Sequence, residues 1–433
     1  MRVLVAAMPM AGHVQPLAAV AAELARRGHE VVGYTGAKYG PRFAEAGATW
    51  LPWEQAPDFE ESDLPATFPA VSDGRGPTAV AANLEHVFLR TGGGQARDIL
   101  AAGPFDLLVS DQLAIGSALA AERSGTPWAS VGISPLALPS RDVPPIGFAL
   151  LPARGPAGRL RDAVLRRMSQ LLLGRRLDAA TAEVRASLDL PAARAGALES
   201  FYSPQLVLAH GVPELEYPRS DLPPHVHFVG HLAPPPSGRP LPPWWSSLPE
   251  DRPLVHVTQG TYDVDPADLL LPSLEGLADA PVTVAAATGG AELPADRVPG
   301  NAHQAGFLPY DSLLPRTSVV VTNGGWGGVL AALAAGVPLV VAGGTLDKPE
   351  IARRVAYSGA GLDLRTGRPK PAAVRAAVER VLAEPSIAER ARAVGGSLAR
   401  HGGVATAGDL LERLAETGAP VRRDEEDPWT SVR

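Results

Sequence analysis

The chain has no cysteine among its 433 residues. That excludes disulfides, thiolate catalysis and cysteine-bound metals, and it leaves the compartment open, since cytosolic and exported proteins alike can lack the residue. There is no surplus of positive charge either. A formal net charge of −7 and a pI near 5.8 give no broad electrostatic reason to bind a nucleic-acid backbone. A clean membrane span is also missing. The uncharged run at 319–341, VVVTNGGWGGVLAALAAGVPLVV, is long enough to cross a bilayer. Asn323, the glycines at 324, 325, 327 and 328, and the Gly336-Val337-Pro338 break would, however, leave irregular backbone unpaired in lipid. A strand, a glycine turn, a short helix and a second strand fit the run better. The apolar N-terminus VLVAAMPMAGHVQPL is short and passes directly into a patterned strand-turn-helix, so it is not read as a signal peptide, and a cytoplasmic location is expected.

What is present is a long, loop-rich globular chain. Its length exceeds what one core usually serves, and its 45 Gly and 44 Pro are scattered between periodic apolar segments. RVLVAAM reads as a buried strand, PMAGH as a loop, and Leu17, Val20, Ala21 and Leu24 as the face of a helix starting near Pro16 and capped at Gly28. HEVVGYT then completes a β-α-β unit. FDLLVSD and PWASVGI continue the alternation, which makes the first half a doubly wound parallel sheet. PPPSGRPLPPWW has no helical period and reads as a stiff linker. Beyond it PLVHVTQGT, PVTVAAATGG, NAHQAGFL, SVVVTNGG, PLVVAGG and AGLDL supply a second Rossmann-like sheet. The expected layout is a first domain at 1–215, a linker at 216–245, a second domain at 246–402, a helix at 403–416 and a mobile tail at 417–433. Two α/β sheets facing across a cleft would present the carboxyl ends of their strands to it, where such sheets bind ligands.

The most informative segment is the glycine turn. A strand ending at Asn323 and a helix beginning near Val329 would bracket Gly324, Gly325, Gly327 and Gly328, whose bare N–H groups at a helix N-terminus suit a phosphate. The competing reading is that these glycines merely allow tight packing. TNGGWGGVLAALAAGVPLVVAGGTLDKPEIARRV resembles the donor-binding signature of family-1 glycosyltransferases of GT-B fold, HGGxGTxxxALxxGVPxxxxPxxxDQxxNAxRV. HVTQGT is similar to that family's Ser/Thr-x-Gly-Ser/Thr loop, AGFLPYDSLLPRTSVVVT to its W-x-P-Q segment, and GHVQPLAAVAAELARRGHEV to its N-terminal GHxxPxxxLAxxLxxRGHxV. The matches touch both halves of the chain.

The resemblance implies that Gly324, Gly325, Gly327 and Gly328 bind the diphosphate of a nucleotide sugar, that Thr261 adds a hydroxyl, and that Phe307 and Leu308 border the base. It implies that Asp347 accepts hydrogen bonds from sugar hydroxyls, although an Asp before Pro349 also suits a helix N-cap. Three residues depart from the signature: Asn323 stands for the phosphate-contacting His, Lys348 for a Gln, and Gly328 for Thr or Ser. An amide donates a hydrogen bond but cannot become cationic, so Lys348 either restores that charge or reads an altered sugar. Tyr310 replaces the Gln of W-x-P-Q.

His13 falls after the first strand, where a neutral imidazole can take a proton near pH 7. A loop histidine bonded to its own backbone is the alternative. The resemblance makes His13 the general base and Asp111, at the carboxyl end of FDLLVSD, the acid that orients it; a helix cap is the other role open to Asp111. His210, His225, His227, His231 and His256 lack metal-ligand spacing and are read as solvated linker and edge-strand residues. The expected reaction is inverting, metal-independent transfer of a sugar from a UDP or TDP donor to a hydroxyl of an apolar natural-product aglycone, with no cofactor. Loops at 52–94 and 134–156 would choose the acceptor through Trp53, Phe59, Phe88 and Phe148, which core packing would explain equally. The helix at 403–416 would pack back on the first domain. A non-catalytic relative and another GT-B nucleotide-sugar enzyme, such as an epimerase, are the rivals; G-x-G-x-x-G is absent after the first strand, which disfavours an NAD enzyme. The oligomeric state is open between monomer and homodimer.

Overall fold

The structure is a computed structural model that describes residues 1–71, 77–153, 155–260, 265–290 and 293–423, with backbone only at 77 and 78. The chain divides into two compact units, one formed by Met1–Pro234 together with the chain from His401 onward, the other by Pro235–Arg400.

The first unit begins with β1 (Arg2–Ala6), α1 (Ala11–Arg26), β2 (Glu30–Tyr34), α2 (Gly40–Glu45), β3 (Thr49–Leu51), α3 (Leu64–Thr67) and α4 (Pro77–Ala82). A π-helical stretch, Asn83–Leu89, then leads to α5 (Gly92–Ala102), β4 (Leu107–Asp111), α6 (Gly116–Ser124) and β5 (Trp128–Gly132). A long helical arm follows as α7 (Gly155–Ser169), a second π-helical stretch (Gln170–Gly174) and α8 (Arg175–Ala186), before β6 (Leu206–His210) and β7 (Val226–Gly230).

Its seven strands run in the order β3-β2-β1-β4-β5-β6-β7, every strand pair parallel. Alternation along β1 explains why the sheet is covered on both faces. Val3 and Val5 join a core with Val14, Leu17 and Leu24 of α1, while Leu4 and Ala6 join the opposite core with Ile99, Leu119 and Leu177. Gly28 closes α1 at φ +87°, a conformation that only glycine adopts cheaply.

The second unit contains β8 (Leu254–Thr258), α9 (Leu270–Leu277), β9 (Thr283–Ala287), β10 (Ala302–Ala305), α10 (Tyr310–Leu313), β11 (Thr317–Thr322) and α11 (Trp326–Ala334). It ends with β12 (Leu339–Val341), α12 (Lys348–Ser358), β13 (Gly361–Asp363), α13 (Pro371–Ala383) and α14 (Pro385–Arg400). Its six strands are parallel in the order β10-β9-β8-β11-β12-β13. Val255, Val257, Val319 and Val321 pack on Leu270, Leu274, Val374 and Val378 of α9 and α13.

One expectation about organisation changes. Val226–Gly230 falls inside the stretch read as linker, yet it pairs with β6 as the edge strand of the first sheet. Its short V-H-F-V pattern was hidden by the prolines on both sides, and the edge is tied down by His227 Nε2, 2.9 Å from the Val421 carbonyl. The first unit therefore runs to Pro234. After residue 400 the chain returns to that unit. There α15 (Val404–Thr417) lays Ala407, Leu411 and Leu414 into the core that α1 lines. Of the tail, 424–433 lies outside the described residues.

Candidate functional site

In each sheet one central strand pair marks the point where the chain changes direction of winding, and ligands of open α/β sheets bind at the carboxyl ends of such a pair. In the first sheet the pair is β1 and β4, in the second β8 and β11.

His13 and Asp111 stand at the first of these points. Helix α1 starts at Ala11, earlier than Pro16 suggested, and takes Pro16 into its second turn, where the missing N–H forfeits one bond. His13 therefore sits in the opening turn of α1 and not in a loop. Its N–H bonds the Met10 carbonyl at 3.0 Å, and its ring is almost buried, at 8% exposure. Nδ1 lies 3.2 Å from Oδ1 of Asp111, off the line of a straight hydrogen bond. Asp111 is wholly buried at the end of β4 and accepts N–H groups from Met8 (2.7 Å), Leu113 (2.7 Å) and Ala114 (3.1 Å). Three amides thus hold its carboxylate where water is excluded. With Nδ1 turned to the acid, Nε2 is left to accept a proton. Phe88, carried by the π-helical stretch, stacks beside the imidazole, ring centroids 6.1 Å apart and planes 10° apart.

The other three aromatic candidates separate by burial. Trp53 and Phe59, at 7% and 5% exposure, share with Phe88, at 8%, one buried cluster, in which Trp53 packs between Tyr34 and Phe59. Phe148 is 42% exposed. A recess of about 250 Å³ opens beside the Phe88 segment, lined by Pro57, Phe68, Pro69, His86, Arg90 and Thr91. Sequence reading missed Glu61, buried at 8% exposure, whose Oε2 accepts the Ala11 N–H at 3.0 Å and so caps α1 from fifty residues away. No local pattern marks it.

The second point is the glycine turn. Helix α11 begins at Trp326, three residues before the expected start, so Gly327 and Gly328 belong to its first turn, ahead of the first helical bond, Val329 N–H to the Gly325 carbonyl, 3.0 Å. The space around the glycines tells their roles apart. Gly324 has φ +93°, and a Cβ there would meet Val341 Cγ1 at 2.9 Å, so packing requires this glycine. At Gly325 and Gly327 a Cβ would meet nothing within 4 Å, and at Gly328 only the Tyr310 hydroxyl at 3.7 Å. Packing within the protein does not account for these three, and open backbone at a helix N-terminus is what an anion needs.

Asn323 is buried and its side-chain amide donates to the Gln259 carbonyl, fastening the end of β11 to the loop after β8. Lys348 is buried at the start of α12, its Cβ 3.7 Å from where a Cβ on Gly324 would lie. Asp347 occupies the N-cap position of α12 but makes no side-chain cap bond. Phe307 is 48% exposed, with the Arg239 guanidinium 4.5 Å from its ring centre. Leu308, at 1% exposure, packs its side chain with Leu248, Leu254 and Leu313, which leaves only its backbone to border a base. Tyr310 bonds Thr258, and burial pushes its phenol up to about 12. Thr261 lies outside the described residues.

Two of the histidines after β5, His210 and His256, are buried and not solvated as expected. His210 stacks on His231, centroids 5.5 Å apart, and His256 is wholly buried with Nδ1 2.9 Å from the Ala285 carbonyl. Burial lowers His231 and His256 to about 4 and His210 well below its ordinary value. Among the described residues no group of three or more His, Asp or Glu is placed to hold a metal ion.

Residues 272–401 match the family described as erythromycin biosynthesis protein CIII-like, C-terminal domain. The chain is 40% identical to 4'-demethylrebeccamycin synthase of Lentzea aerocolonigenes over 418 residues, covering 95% of this chain and 99% of that protein. It is 30% identical to UDP-glucosyltransferase 1 of Beauveria bassiana, with 91% of each covered. Among solved structures, the calicheamicin glycosyltransferase CalG4 superposes with a TM-score of 0.73 at 24% identity, covering 97% of this chain and 99% of that one. The glycosyltransferase VinC in complex with dTDP superposes with a TM-score of 0.66 at 22% identity, covering 96% and 100%.

Proposed function

The chain belongs to the family-1 glycosyltransferases of GT-B fold, and from that membership we propose that it moves a sugar from a UDP or TDP donor to a hydroxyl of an apolar natural-product aglycone, inverting the anomeric centre without a metal. His13 Nε2 takes the proton of the acceptor hydroxyl as its oxygen attacks the anomeric carbon. Asp111 receives the charge of the imidazolium through Nδ1. The anomeric carbon–oxygen bond breaks towards the diphosphate, which the amides of Gly327 and Gly328 hold at the positive end of α11. Asn323 spends an N–H on Gln259, so the backbone amides and Lys348 supply the stabilisation that the family's histidine would give. Phe88 and the recess beside it receive the acceptor.

The observation that carries this reading is the pairing of His13 with Asp111 at the winding point of the first sheet, in a chain similar over nearly its whole length to 4'-demethylrebeccamycin synthase and to a UDP-glucosyltransferase. It also speaks against a non-catalytic partner, which has no use for a buried base and acid. The test is mass-spectrometric detection of product with UDP and TDP sugars and aromatic aglycones. His13→Ala is expected to lower kcat by roughly a hundred- to ten-thousand-fold while thermal stabilisation by the nucleotide is kept. Transfer undiminished in the variant would remove His13 as base. Release of free sugar with no acceptor requirement would favour another nucleotide-sugar chemistry.

A further inference from the structure

Helix α7 is assembled inside out. A surface helix ordinarily turns its apolar stripe to a core, yet Asp162 is the only buried residue of α7. Leu160, Val164 and Met168 are 67%, 49% and 47% exposed, and in the π-helical stretch that follows Leu171 and Leu172 are 40% and 77% exposed. The four-residue spacing of the first three puts them on one face, which Leu171 continues. Leu151, 47% exposed, lies at the margin of this strip, its carbonyl accepting Arg161 Nη2 at 3.0 Å.

Charge says what the face is for. Between 155 and 176 there are six arginines, at 159, 161, 166, 167, 175 and 176, and one acid, Asp162, so the segment carries 6 − 1 = +5 in a chain whose total is −7. Arg161 pairs with Asp162, Arg176 with Glu85, and Arg166 bonds the carbonyls of Ser140 and Val143. Arg159, Arg167 and Arg175 are exposed. At about 100° per residue, Arg161 and Arg167 fall on opposite margins of the stripe. A second copy of the chain is a poor occupant, because a two-fold contact brings the same face, and the same +5, against itself. An acidic lipid surface satisfies both features, since it accepts an apolar stripe laid in its plane and rewards cations beside it.

We propose that α7 and the stretch after it dock the first unit on an anionic membrane surface, with Leu160, Val164, Met168 and Leu172 entering the headgroup layer and Arg167 and Arg175 at lipid phosphates. This is in-plane binding: among the described residues no helix is long and apolar enough to cross a membrane.

The test is co-sedimentation of the full chain with vesicles of phosphatidylcholine alone and of phosphatidylcholine mixed with phosphatidylglycerol, with light scattering of the chain without lipid. The bound fraction is expected to rise at least about tenfold with phosphatidylglycerol and to fall as salt is raised towards 1 M. Leu160→Ser with Leu172→Ser, and separately Arg167→Gln with Arg175→Gln, are expected to abolish it with unchanged melting temperatures, because all four side chains are exposed. A wild-type chain that stays in the supernatant, or leucine variants that bind undiminished, would overturn the proposal. A dimer broken by Leu160→Ser, with vesicles left unbound, would give the face to a second copy; unbound vesicles and a monomer that binds an acidic protein through this face would give it to that class of partner.

Discussion

Asp111 is held by three backbone N–H groups as well as facing His13, so at this residue structure and chemistry can be separated by substitution. Asp111→Asn turns an amide into a site built only of donors, and a stability loss of about 1–3 kcal/mol is expected by chemical denaturation. Activity should fall further than folding accounts for, because the imidazolium loses its counter-charge. The glycines separate more sharply still. Gly327→Ala lies in a helix with open space at its Cβ, so it should raise stability by about 0.5–1 kcal/mol while weakening nucleotide binding measured by calorimetry. Gly324→Ala has φ +93° and meets Val341, and should cost about 1–3 kcal/mol of fold stability. If Gly327→Ala leaves nucleotide affinity untouched, the amides of α11 are not the diphosphate cradle.

The element whose attachment is most concentrated is α15. Arg27, at the end of α1, bonds Asp409 (2.7 Å), Glu412 (2.7 Å) and the Ala405 carbonyl (2.8 Å) on one side and Glu23 (2.8 Å) on the other. Arg27→Met keeps the packing and removes those bonds. A loss of roughly 1.5–3 kcal/mol is expected, with faster hydrogen exchange confined to α15. Glu23 adds a pH dependence. Its bond to Arg26, aided by Arg27, holds its carboxyl at about 2 against an ordinary 4.5. A depressed carboxyl contributes stability that is complete above 4.5 and is lost as pH falls towards 2. Glu23→Gln should flatten the acid limb of stability against pH across that window; an unchanged limb would show the cluster is screened. Asn83–Leu89, read from the sequence as part of a loop at 52–94, is a π-helical stretch that brings Phe88 beside His13, and the extra residue in its turn leaves no trace in apolar spacing.

Across the whole molecule, each unit buries an imidazole that stays neutral, His210 in the first and His256 in the second. Burial is the main cause in both, lowering His256 to about 4 and His210 well below the ordinary 6.5. The unfolded chain therefore binds these protons first as pH falls. Their contribution is complete above 6.5 and lost towards 4, a window above that of Glu23. Melting temperature should decline between pH 7 and 4.5, and His256→Gln should lessen that decline. A melting temperature constant over this range would mean the buried rings are hydrated on the time scale of unfolding. The fold itself, two parallel sheets of seven and six strands, was legible because alternating strand-like and helix-like periods leave few topologies open.

The sequence by itself determined the two Rossmann-like sheets, the family, and the positions of His13, Asp111 and the glycine turn, because hydrophobic period and glycine spacing are local properties of the chain. Only the tertiary structure decided which residues are neighbours across many positions: Glu61 on the first amide of α1, Asn323 bonded to Gln259, β7 added to the first sheet, and Trp53, Phe59 and Leu308 consigned to cores. Burial and close approach depend on how the elements pack, and one local pattern is compatible with an exposed face or a buried one. That is why α7, with a helix-like pattern of its own, shows only in three dimensions that its apolar side is turned outward.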